Sequence, residues 1–112
     1  MKNFETNWTK DEMRVYLLIF SANADFVELK DEVKFIKSST LNSTYSKMHK
    51  EFENDSDFNS IQKLRNTLDR FNYGEDKIGE LFKEMIALFQ ADGDYSVLEK
   101  NFMNGIEKVF MD

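Results

Sequence analysis

Apolar residues recur along this chain at intervals of three and four, and no segment alternates apolar with polar at a period of two. That spacing predicts amphipathic helices rather than strands. The clearest start is Thr9-Lys10-Asp11-Glu12, a capping box with Thr9 at the N-cap and Glu12 three residues on. Trp8 and Met13 then fall at the two positions of a hydrophobic staple. The helix that follows puts Met13, Leu17, Phe20, Ser21 and Ala24 on one face, and Tyr16, Leu18 and Ile19 widen the stripe. So broad a stripe predicts a central helix.

A second helix carries Leu29, Val33 and Ile36 on one face, and the polar stretch 38–43 ends it. Leu41, Tyr45, Met48 and Phe52 mark a third, broken by the polar run 53–57. Ser56 or Asp57 caps a fourth, with Ile61, Leu64, Leu68 and Phe71 on its face and Gly74 placed for a left-handed residue after its end. Ile78, Leu81, Phe82, Met85, Ile86 and Phe89 make the fifth; Leu98, Phe102, Ile106, Val109 and Phe110 make the sixth. The expected fold is all-α: one domain over residues 1–112, a helical bundle of about six helices.

Composition supports this picture. The absence of Pro and the presence of only four Gly favour long helices over short strands joined by tight turns. Eleven Phe, four Tyr and one Trp predict an aromatic core. With no Cys, disulfides, thiolate zinc sites and cysteine nucleophiles are excluded. The formal net charge of −6 argues against a general nucleic-acid binder, whose affinity rests on neutralising phosphates. The first twelve residues hold no apolar signal core, and the longest apolar run, Val15 to Phe20, is far short of a membrane span. The expected location is cytoplasmic.

Charge is unevenly placed. Lys34, Lys37, Lys47 and Lys50, with His49, occupy a span from Val33 to Lys50 that has no acid. One reading is ordinary solvated helix faces. The other is a small basic patch for an anionic partner, such as peripheral contact with an anionic membrane.

The chain also repeats itself. Residues 21–36 and 88–103 align without a gap, so that Asp25 and Asp92 are 67 residues apart (92 − 25), as are Glu32 and Glu99 (99 − 32). Each copy follows an apolar helix and runs through Ala-Asp to Glu, predicting two similar helix–turn–helix halves packed together.

The second copy, Ala91, Asp92, Gly93, Ser96 and Glu99, resembles the TerB-like family, which includes tellurite-resistance proteins and the N-terminal domains of DjlA-type membrane co-chaperones. Tyr95 stands where that family favours an aliphatic residue. The first copy keeps Ala24, Asp25 and Glu32 but has Phe26 in place of Gly and Leu29 in place of the capping Ser. The resemblance implies an all-helical bundle of bacterial origin. It also implies a non-enzymatic role in stress response, acting through protein partners, with acidic residues suspected of binding cations.

The acids of the repeat have two readings. Structurally, Ser96 and Glu99 form a capping box, Asp92 and Asp94 sit where a helix N-terminus favours negative charge, and Gly93 permits positive φ. Chemically, Asp25, Glu32, Asp92 and Glu99 would make a divalent-cation site if the two turns faced each other. Neither local loop is an EF-hand, which needs Gly sixth and Glu twelfth. From Asp92 those places hold Val97 and Met103, and from Asp55 they hold Ser60 and Asn66. An enzyme is not expected. His49 is the single histidine, which excludes a di-iron site built on two Glu-x-x-His motifs, and no glycine-rich phosphate loop is present. His49 reads as an exposed helix residue. Gly79 and Gly105 sit inside helical patterns and mark either close helix contacts or nothing. No cofactor is expected beyond the candidate divalent cation, which would make the chain a regulatory or buffering protein rather than an interaction module.

Overall fold

The computed structural model describes residues 4–23, 30–91 and 96–111. Among them run six helices and no strand: α1 (Lys10–Ala22), α2 (Lys30–Ser38), α3 (Asn42–Glu53), α4 (Asp57–Arg70), α5 (Glu75–Phe89) and α6 (Val97–Met111). Ala24, Asp25 and Leu29 in the first turn, and Asp92, Gly93, Asp94 and Tyr95 in the second, lie outside the described residues.

The predicted start of α1 forms in full. Thr9 Oγ1 accepts from the Glu12 N–H at 3.1 Å, and Glu12 Oε1 accepts from the Thr9 N–H at 2.8 Å. Every residue from Val15 to Ala22 is buried, because α1 packs against α2, α3, α4 and α5 at once. An all-round apolar helix belongs at the centre of such a bundle.

The 67-residue repeat survives in the helix boundaries. α1 ends at Ala22 and α5 at Phe89 (89 − 22); α2 begins at Lys30 and α6 at Val97 (97 − 30). Burial keeps the same register: Val15 and Phe82, Leu18 and Met85, Ile36 and Met103, Glu32 and Glu99 are buried pairs at that offset. The hairpin α1–α2 meets the hairpin α5–α6 through α1 against α5. What distinguishes the halves is the face that α1 turns outward from this pairing. Met13, Tyr16, Leu17 and Phe20 on α1 correspond at the same offset to Glu80, Lys83, Glu84 and Ala87 on α5. The helices α3 and α4 cover the first set. The α5 set is three charged residues and one small alanine, and it needs no cover.

Three boundaries depart from the sequence reading. The left-handed residue after α4 is Asn72 (φ 55°), two residues before Gly74. The Tyr73 N–H donates to Leu68 O at 3.1 Å and the Asn72 N–H to Asp69 O at 3.0 Å, the Schellman pattern, in which Asn is the tolerated substitute for Gly. Gly74 is extended and begins α5 as its N-cap. Leu41 is also an N-cap, so it sits outside the α3 cylinder and is 71% exposed rather than on the buried face. Leu98 is 61% exposed, because α6 turns Glu99, Met103 and Ile106 inward. The fourth helix is capped by Ser56, whose Oγ accepts from the Asn59 N–H at 3.1 Å.

Candidate functional site

The two acidic turns place one glutamate each. Glu99 and Glu32 are the third residues of α6 and α2, and both are buried. Glu99 completes the predicted capping box: its Oε1 accepts from the Ser96 N–H at 2.9 Å, and its own N–H donates to Ser96 Oγ at 3.2 Å. The box explains how a carboxylate is tolerated on the inner face of α6, since it satisfies helix-end donors that would otherwise lack partners. Among the described residues no three potential metal ligands gather into a cation-holding group.

The lysine span is divided by the fold. Lys47 Nζ is held 2.6 Å from Glu12 Oε2 on α1, and this pairing raises the lysine's pKa. The same contact, with the Thr9 N–H, holds the Glu12 carboxyl below its ordinary value. Lys37 Nζ lies 5.1 Å from the centre of the Tyr45 ring. Lys34 and Lys50 are exposed. His49 is half-buried rather than exposed: Nδ1 is 2.8 Å from Glu53 Oε1, and its ring lies 5.5 Å from that of Tyr45.

A polar network that no local pattern announced ties α1, α3 and α4 together. The Tyr16 hydroxyl donates to Asp55 Oδ2 at 2.7 Å and lies 2.8 Å from Ser60 Oγ. Lys63 Nζ reaches both Asp55 oxygens at 3.0 and 2.9 Å and Glu51 Oε2 at 3.3 Å. Glu51 Oε2 also accepts from Trp8 Nε1 at 3.0 Å, and the Trp8 ring lies 4.4 Å from that of Tyr16. Burial, with the hydrogen bond to Asp55, raises the Tyr16 pKa well above its ordinary value. Burial lowers the Lys63 pKa, but the Asp55 and Glu51 carboxylates outweigh it and the net shift is upward. No buried side-chain nitrogen or oxygen among the described residues lacks a partner. This network is a structural clamp.

An apolar concave feature lies elsewhere. Phe20 on α1, Phe52 on α3, Ile61 on α4, and Phe102, Ile106 and Val109 on α6 line an open apolar groove of about 330 Å³. Phe102 stands edge-on to Phe20 at 5.4 Å and to Phe89 at 6.0 Å, which fixes one wall. Asn23, Asp57 and Asn101 supply the polar lining. Gly105 also lines the groove, and a Cβ added there would meet no atom within 4 Å. In the sequence pattern Gly105 leaves open a close helix contact or nothing. It marks open space rather than a close helix contact, and so does Gly79. A groove of this size, walled by aromatic and aliphatic side chains with a few polar groups, has the character of a binding site.

No helix among the described residues is long and apolar enough to cross a membrane. No family model, curated protein or solved structure matches this chain.

Proposed function

We propose that this chain is a non-catalytic helical interaction module that takes apolar side chains of a protein partner into the groove between α1, α3, α4 and α6. The observation that carries the reading is the groove itself, in which six apolar side chains from four helices face an open space of about 330 Å³. Covering such a surface is favourable by roughly 25 cal/mol per Å² of apolar area removed from water. Helix-in-groove recognition uses this arrangement, with anchors at helical spacing entering an apolar trough. The resemblance of the second acidic turn to the TerB-like family supports the same reading from the sequence, since that bacterial family is associated with non-enzymatic stress response. The test is site-specific photocrosslinking in the cells that express the protein. A photoreactive residue at position 105, inside the groove, should give a discrete protein adduct that Ile61→Glu removes. The same residue at position 79, on α5, should give none. Equal adducts at both positions, or none at 105, would sink the reading.

A divalent-cation-binding regulatory or buffering role is the second reading. It is favoured by the burial of Glu32 and Glu99 at the same register of the two halves, with Asp25 and Asp92 as their partners from sequence. Thermal melting with calcium, magnesium or manganese against chelator at fixed ionic strength tests it. A site shared by both turns predicts a rise in Tm that Glu32→Gln and Glu99→Gln each abolish, and no rise with any of these ions retires it.

A further inference from the structure

Resting on the groove reading, we infer that the groove's occupant is the apolar face of an amphipathic helix that places a lysine or arginine against Asp57. Asp57 is the one charged residue in the groove's described lining. Its carboxylate makes no hydrogen bond or ion pair among the described residues. Asp55, two residues earlier, is by contrast bound by Tyr16 and Lys63. The other exposed polar group of the lining, the Asn101 side-chain amide, is equally unengaged. An exposed carboxylate beside an apolar trough, on a chain of net charge −6, favours a cationic partner over a neutral or acidic one. Across an interface such a charge sets partner choice and orientation, while the apolar anchors supply the affinity.

The experiment is selection from a displayed library of random helical peptides on the wild-type protein, with counter-selection on Gly105→Leu. That substitution puts a side chain into the open space of the groove. It also replaces a helix-interior glycine with a stronger helix former where an added Cβ meets no atom within 4 Å, and a thermal melt checks that the variant is folded. The inference expects groove-dependent peptides enriched in lysine or arginine beside their apolar anchors. Their affinity should fall about two- to fivefold with Asp57→Asn, the range for an exposed ion pair, and less at high salt. Ser56 rather than Asp57 caps α4, so Asp57→Asn leaves the helix start intact. Groove-dependent peptides with no basic bias, or with affinities indifferent to Asp57→Asn, would overturn this inference and leave the groove reading standing. Failure to recover any groove-dependent peptide would overturn both.

Discussion

The Tyr16 hydroxyl and the Asp55 carboxylate meet at 2.7 Å across 39 residues of chain, joining the middle of the central helix to the turn between α3 and α4. Because Lys63 grips the same carboxylate, removing the hydroxyl does not leave Asp55 bare. It does leave Ser60, which is fully buried, without its partner across α1. Tyr16→Phe should therefore destabilise the protein by about 1–3 kcal/mol at neutral pH. Its folded-state pKa lies above the ordinary value of 10.0, so the tyrosine's contribution is complete below that pH and is lost as pH rises beyond it. Denaturant melts from pH 7 to 11 should show the difference between wild type and Tyr16→Phe narrowing above pH 10. A constant difference would detach the hydroxyl from the alkaline limb.

Glu12 and Lys47 should be coupled. Lys47 is well exposed to solvent, though the Glu12 side chain is largely covered, so a double-mutant cycle with Glu12→Gln and Lys47→Gln should return only about 0.2–1 kcal/mol. Glu12 has a lowered folded-state pKa, so its contribution is present above the ordinary value of 4.5 and is lost as pH falls through the folded one. The coupling should shrink toward zero in that acid window and weaken with salt at neutral pH.

Helix ends offer opposite tests. Ser96→Ala removes the donor's partner at the start of α6 and should cost about 0.5–2 kcal/mol, read as a lower denaturant midpoint with unchanged slope. Leu41→Asp supplies what α3 lacks. Leu41 has N-cap geometry (φ −74°, ψ 145°), makes no side-chain capping bond and is exposed, so the change should raise stability by roughly 1 kcal/mol. If Leu41→Asp leaves the midpoint where it was, α3 does not begin at Asn42.

Gly79→Ala and Gly105→Ala should each stabilise the fold by about 0.5–1 kcal/mol, since both lie within helices and an added methyl group meets nothing. Thermal melts would show it directly. A loss of stability at either position would mean the helices close more tightly there than the structure has them.

The sequence made the helices legible because their apolar faces repeat locally, and the Thr9 and Ser96 boxes because both partners lie within one turn. It misplaced what depends on distant chain. Gly74 outranks Asn72 on local preference for positive φ, yet the three-dimensional path needs the reversal immediately after Phe71. On α6 the apolar pattern chose Leu98 over Glu99. An acid looks like a surface residue until its carboxylate is seen to be spent on the Ser96 N–H, after which the buried face runs through Glu99, Met103 and Ile106. The Tyr16–Asp55–Lys63 network and the groove had no local signature, because each is assembled from helices remote in sequence.

The central position of α1 has a consequence for how the chain comes together. α1 is synthesised before the helix that backs it, α5, which does not begin until Glu75. Until then Val15, Leu18 and Ala22, the positions that repeat in α5, have no partner hairpin to lie against. The helices α3 and α4 can shelter the opposite face first, since their contacts with α1 close shorter loops. A nascent chain arrested before α5 would carry a half-covered helix with one apolar side open, the kind of surface that chaperones hold and that aggregates when they do not.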